Sequence, residues 1–289
     1  MDKPKIKILI LGSSGMLGNA LLRYFSAYEG IEVFGTVRTA EMIECMPTEH
    51  HTRIIADIDV GHDEHLFEVF AEVRPDVVVN CIGVVKQLSG AADPLITIPV
   101  NSMLPHRLAK LCTALRARLV HLGTDCVFSG GKGNYLEIDV PDATDLYGRS
   151  KLLGEVDYPN AITLRTSLIG HELNSSRSLV DWFLSQEGSV KGYRKAIFSG
   201  LPTVEIARVI HEYVLPNPEL RGVYHLSVDP ISKFDLLSLV AKLYNKDIEI
   251  RPDDSVVIDR SLDSTRFREA TGFKPKPWPQ LIQEMHDFR

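Results

Sequence analysis

Residues 8–18 read Ile8-Leu9-Ile10-Leu11-Gly12-Ser13-Ser14-Gly15-Met16-Leu17-Gly18. An apolar run enters a glycine turn, and the turn opens an amphipathic stretch. The run suits a buried strand over Ile6–Leu11, and Leu17, Leu21, Leu22 and Phe25 share one face of a helix over 16–28. Gly12 can take backbone angles closed to other residues. Gly15 lets a backbone approach a pyrophosphate closely, and Gly18 lets the helix pack on the strand. The start of such a helix offers free N–H groups and a partial positive charge to an anion. The spacing is GxxGxxG between a first strand and a first helix, which predicts a dinucleotide site at Gly12, Ser14, Gly15, Met16 and Leu17. An ordinary glycine turn is the alternative. No Gly-Lys-Ser/Thr follows, so a Walker-type loop is excluded.

Outward from the loop, strands alternate with helices. Strands are expected at 32–37, 77–80, 119–122 and 161–165, and helices at 65–73, Leu104–Leu115 and 145–155. Repeated βαβ units imply parallel strands, hence an α/β fold with a Rossmann-type doubly wound sheet. The alternation weakens near residue 170. Helices are expected at 179–186, 204–214 and 234–244, with short strands at 223–226 and 248–251. We therefore expect a NAD(P)-binding Rossmann domain over 1–170. Residues 171–289 should form a smaller, mostly substrate-binding α/β lobe with some segments returning to the Rossmann core.

The chain has 289 residues, 44% hydrophobic and 24% charged, a composition that excludes a disordered or low-complexity protein. Its net charge of -6 argues against nucleic-acid binding by bulk electrostatics. No apolar run reaches the roughly 18 residues of a membrane span, and the N-terminal run is too short and too charged for a signal peptide. Cys45, Cys81, Cys112 and Cys126 are scattered without metal-ligand spacing, so reduced thiols, no metal and a cytoplasmic location are expected. A homodimer is compatible with this reading.

An acid at the end of the second strand would bond a ribose 2′-hydroxyl, and an Arg there would accommodate a 2′-phosphate. Here Thr36-Val37-Arg38-Thr39 ends the strand. Arg38 therefore favours NADP (as NADPH) over NAD, which stays possible; a solvated surface Arg is the alternative. Asp57, beside Ile58 after a short third strand, is placed to accept from the adenine amino group, or else to cap a helix. Cys81, Ile82 and Gly83 follow Asn80 at another strand end, where small or apolar groups let a dinucleotide lie close.

Tyr147 and Lys151 stand four apart, on one helix face. A phenol titrates near 10 and is sluggish near neutrality, and a nearby ammonium favours its anion. Lys151 can also bond the nicotinamide ribose. Thr124 ends the strand 119–122 and carries a short hydroxyl at the crevice side of the sheet, fit to polarise a carbonyl or simply to cap a turn.

These residues together resemble the extended short-chain dehydrogenase/reductase superfamily and, within it, the dTDP-4-dehydrorhamnose reductase family. The likeness runs through Gly12 to Gly18, 80–83, 124–130 (TDCVFSG), 147–155 (YGRSKLLGE), Arg165-Thr166, 200–203 (GLPT) and 260–263 (RSLD). It implies a nucleotide-sugar 4-keto reductase with Thr124, Tyr147 and Lys151 as the catalytic set. Tyr147 would donate a proton to the developing alkoxide, Thr124 would hold that oxygen, and Lys151 would orient the cofactor. The product would be a deoxyhexose nucleotide for a surface polysaccharide. Asn101 matches the family Asn beside the Tyr, implying support of a water near Lys151; a helix cap is its alternative.

The chain departs from the family where the sugar should bind. Cys126 stands where the family usually has Tyr. Ser167-Leu168-Ile169-Gly170 replaces an expected aromatic, and the stretch 84–99, with Val84, Lys86 and Gln87, is longer than its counterpart. A UDP-linked 4-keto-6-deoxy sugar, N-acetylated or not, is therefore as compatible as dTDP-4-dehydrorhamnose. Further substrate candidates are Trp182 (or core packing), Thr203 (or a helix cap) and Arg260, which could pair with a diphosphate or sit in a surface salt bridge. Two other classes stay open: a non-catalytic dinucleotide-binding regulatory subunit, and an epimerase or dehydratase on the same scaffold. Asp125-Cys126 after Thr124 lacks the Asp-Glu pair of many dehydratases.

Overall fold

Leucine-rich and β-branched runs become the strands at the centre of the molecule, in a computed structural model that describes residues 5–86 and 90–289. In chain order the first half holds β1 (Ile6–Leu11), α1 (Met16–Ser26), β2 (Ile31–Thr36), α2 (Glu41–Glu44), β3 (Ile54–Ile55), α3 (Asp63–Val73), β4 (Val77–Asn80), α4 (Pro94–Ile98), α5 (Leu104–Leu115), β5 (Arg118–Leu122), α6 (Leu146–Leu153) and β6 (Ala161–Arg165). The second half holds β7 (Leu168–Ile169), α7 (Leu179–Ser185), β8 (Ser189–Tyr193), β9 (Ala196–Phe198), β10 (Leu201–Pro202), α8 (Thr203–Val209), β11 (Gly222–His225), β12 (Ile231–Ser232), α9 (Lys233–Leu243), β13 (Glu249–Asp253), β14 (Ile258–Asp259), α10 (Thr265–Thr271) and α11 (Trp278–Asp287).

Seven strands form one parallel sheet in the order β3-β2-β1-β4-β5-β6-β11. This is the expected Rossmann-type doubly wound α/β fold. Successive residues of a strand face opposite sides, so Ile8, Ile10, Val77, Val79, Val120 and Leu122 join the core on one face. Leu9, Leu11, Val78 and Leu119 join the core on the other. Helix α1 covers the first face with Leu21, Leu22 and Phe25. Helices α3 and α5 cover the second with Leu66, Val69, Phe70, Leu104 and Leu108. Burying one such side chain contributes about 1.5–3 kcal/mol.

The order of strands reverses between β1 and β4, and the crevice outside their carboxyl ends is where ligands settle in such sheets. The second half is not a separate layer of core. Ile206, Ile210, Leu281, Ile282 and Met285 belong to the same apolar cluster as Leu21 and Phe25. Strand β11 comes from that half and pairs with β6 at the edge of the main sheet. Three small sheets, β10-β7, β12-β9-β14 and β13-β8, complete it.

The helix foreseen over Leu104–Leu115 is α5, with those bounds. Ahead of it Asp93 caps α4, Pro94 takes its first turn, and a π-helical segment over Pro99–Met103 links α4 to α5. Pro99 has no N–H to donate to the preceding turn, so the ladder is interrupted there and the wider turn takes over. The helix foreseen over 204–214 likewise ends in a π segment, Ile210–Val214.

Candidate functional site

The glycine turn is built by steric necessity. Gly12 has φ +88°, and a Cβ on it would lie 2.8 Å from the Ile82 side chain. A Cβ on Gly18 would lie 2.2 Å from the Gly12 carbonyl oxygen. The turn is tied to β2 by Ser13 N–H donating to Thr36 O at 2.8 Å and Gly12 N–H donating to Thr36 Oγ1 at 3.2 Å. Helix α1 starts with Gly15 as its cap, no side chain closes its N-terminus, and its first turn holds no acid. Uncapped amides beside Ser14, Met16 and Leu17 form a cradle that accepts an anion. The residues present fit a dinucleotide pyrophosphate.

Arg38 follows β2 and is exposed. Asp57 is exposed with φ +61°, and α3 begins at Asp63 with His62 as its cap, so Asp57 is not a helix cap. Ile58 is buried and its N–H donates to Val37 O at 3.1 Å. At the end of β4, Asn80 Oδ1 accepts from Ile82 N–H at 3.1 Å, holding Cys81, Ile82 and Gly83 in a tight turn against Gly12. Burial pushes the Cys81 thiol up, so it stays protonated.

On the other side of the crevice, Asp145 caps α6 by accepting from Gly148 N–H at 2.8 Å. A Cβ on Gly148 would lie 2.3 Å from Cys126 O, so the start of α6 is pressed against the turn at 124–127. That contact brings Tyr147 to Thr124. Thr124 Oγ1 accepts from Cys126 N–H at 3.2 Å and donates to Asp125 Oδ1 at 3.3 Å. The turn-capping role foreseen as its alternative therefore coexists with the place beside Tyr147.

Lys151 is buried, and its Nζ donates to Leu122 O at 2.8 Å. Burial lowers its pKa to about 8, with Glu155 pulling the other way. The expected easing of the phenol by this ammonium is not what the geometry gives. Burial pushes Tyr147 well above its ordinary value, Cys126 and Asp125 add to the rise, and the Thr124 hydroxyl opposes it. The ammonium faces the Leu122 carbonyl, and a Cβ on Gly83 would stand 4.0 Å from it and 3.5 Å from Asn101 Oδ1.

Asn101 lies in the π segment and is not a helix cap. Its Oδ1 accepts from Val84 N–H at 2.8 Å, and its Nδ2 donates to Val84 O at 3.0 Å and to Ser150 Oγ at 3.2 Å. Ser150 Oγ in turn donates to Tyr147 O at 2.9 Å. Lys86 donates to Asp145 Oδ2 at 2.8 Å and stands 5.4 Å from the Tyr147 ring centroid. Gln87 lies outside the described residues. Arg260 is not in a salt bridge among the described residues; it donates from Nε to Phe128 O at 2.7 Å and reaches Cys126 Sγ at 3.8 Å.

Two candidates stand apart. Trp182 is 38% exposed on α7, so it is not a core residue, and among the described residues no hydrogen bond or ring contact joins it to Tyr147. Thr203 does not cap α8, whose cap is Pro202; a Cβ on Gly170 would lie 2.5 Å from its hydroxyl and 3.2 Å from Met16 Sδ. It sits beside Met16, at the start of α1. Sequence reading missed Asp145 and Ser150. An Asp just before a helix is a capping signal, but nothing local foretells the reach of Asp145 to Lys86.

Residues 6–288 match the family described as the RmlD substrate binding domain. The beta subunit of methionine adenosyltransferase 2 from Mus musculus is 26% identical over 97% of this chain and 90% of that protein. A dTDP-4-dehydrorhamnose reductase from Aggregatibacter actinomycetemcomitans is 22% identical over 98% of this chain and 99% of that one. Among solved structures, a dTDP-4-dehydrorhamnose reductase from Bacillus anthracis in complex with NADP superposes with a TM-score of 0.81 at 19% identity, covering 99% of each chain.

Proposed function

Because the chain belongs to the RmlD substrate-binding-domain family, we propose that it reduces the 4-keto group of a nucleotide-linked 6-deoxyhexose with NADPH, as a step toward a surface polysaccharide. The observation that carries the reading is Tyr147 beside the Thr124 hydroxyl, with Lys151 anchored on Leu122 O of the strand that leads to Thr124. A nicotinamide dinucleotide held by Gly12, Ser14, Gly15, Met16 and Leu17 would supply the hydride. The rest of the chemistry falls to side chains. Tyr147, kept protonated by burial, is fitted to give its proton to the ketone oxygen as negative charge develops there. Thr124 holds that oxygen. Lys151, anchored on Leu122 O, is placed to orient the cofactor, and the phenolate left behind regains a proton from solvent. The direct test is loss of NADPH absorbance on adding UDP- or dTDP-4-keto-6-deoxyhexoses.

Two further results are expected. The rate should fall as pH rises past about 8, because Lys151 loses its charge there. A profile still rising well above that value would remove Lys151 from the rate. Arg38→Asp should weaken NADPH by about tenfold or more while leaving NADH nearly unchanged, the lost partner being a charge-assisted one. Equal effects on both cofactors would place Arg38 outside the ribose site.

A regulatory, non-catalytic role is the second reading, favoured by the whole-chain likeness to a protein named as an enzyme subunit. A retained Thr-Tyr-Lys set opposes it, since dinucleotide binding alone needs no proton donor. Absence of NADPH oxidation with every keto sugar, together with a change in a partner enzyme's rate, would select it.

A further inference from the structure

Arg260 directly follows β14, and its hydrogen bonds leave it underused. Nε is fixed on Phe128 O at 2.7 Å, which sets the plane of the guanidinium. Nη1 meets only the Cys126 sulfur, at 3.8 Å, and a thiol is a poor acceptor. Among the described residues these are its hydrogen bonds, so most of the five N–H donors of the fork remain free. A half-buried cation with spare donors is suited to a ligand oxygen.

The place of that oxygen follows from Cys126. Its backbone N–H is bonded to Thr124 Oγ1 at 3.2 Å, and its carbonyl is in contact with the start of α6 beside Tyr147. The thiol stands near enough to the Tyr147 phenol to raise its proton affinity, and Arg260 Nη1 lies 3.8 Å from the same sulfur. We propose that Arg260, with the small Cys126 side chain making room, is a specificity-determining residue that receives the carbonyl oxygen of an acylamino substituent on the hexose ring. A ring hydroxyl ends too close to the ring to cross the thiol, whereas an acylamino group carries its oxygen farther out and presents a strong acceptor. This rests on the reductase reading above and narrows its substrate class. A phosphate oxygen of the same ligand has the same acceptor chemistry, and the test separates the two.

The test is calorimetric titration of the NADPH-saturated full chain with N-acetylglucosamine and glucose linked to UDP, the same pair linked to dTDP, and free UDP and dTDP. The wild type should bind an acetamido ligand more tightly than its hydroxyl counterpart. Arg260→Met should lose about tenfold more on the acetamido ligand than on the hydroxyl ligand or the free diphosphate. Cys126→Tyr, which keeps Arg260 but fills the space, should show the same selective loss, so the result does not hang on one variant's folding. Equal losses on all ligands would assign Arg260 to the diphosphate and overturn the proposal. A wild type without the acetamido preference, including one that binds none of these ligands, overturns it too. Keto-sugar-dependent NADPH oxidation is read separately, so failure of the reductase reading shows in that assay and failure of the Arg260 assignment in the titrations.

Discussion

Tyr147→Phe should cut turnover by about 10²–10⁴-fold, the usual contribution of a positioned proton donor. The phenyl ring keeps the packing against Cys126 and Thr124, and only the acidic proton is lost. Binding of NADPH, measured by fluorescence titration, should stay within about twofold, because the glycine cradle lies across the crevice and does not involve the phenol. A protein that keeps most of its rate without that hydroxyl would overturn the assignment of the proton donor. The residual rate should be insensitive to Thr124→Val, since residues acting as a unit are not additive.

Gly154→Ala should lower stability by about 3 kcal/mol or more, the upper range for overpacking a buried contact. A Cβ on Gly154 would lie 1.9 Å from Asn101 O and 3.3 Å from Pro105. Backbone faces it, so no side chain can swing away. The seam between α6 and the π segment has to open. Asn101 is the residue that grips Val84 and Ser150, so opening the seam should also loosen the loop beside Lys151. Thermal unfolding should shift down by roughly 5–10 °C for a chain of this size. Gly30→Ala is the control, because a Cβ there meets nothing within 4 Å and the melting point should barely move.

The parts of the molecule that could be read in the sequence are those fixed by neighbours along the chain. Gly12, Gly15 and Gly18 announce the cradle because each omits a Cβ that the local turn forbids. Tyr147 and Lys151 share a helix face by spacing alone. What stayed hidden depends on contacts between distant segments. The helical segment ahead of Leu104 went unread: Asp93 caps α4, and the donor that Pro99 lacks is absorbed by a widened turn. The lowering of the phenol's proton affinity by Lys151 was a spacing argument, and burial with a carbonyl partner overrode it. Arg260 could be singled out as a basic residue but not placed, because the fold alone brings it against Cys126.

Strand β11 has a consequence for how the molecule is made. The edge of β6 that it covers carries Arg165, buried in an ion pair with Glu155 and within 3.2 Å of His225. On the ribosome that edge stays open, with bare amides and a charge lacking its final shield, until the polypeptide has grown past His225. An uncovered parallel edge invites pairing with other chains. That edge is thus covered only late in translation, after the nucleotide cradle has already emerged.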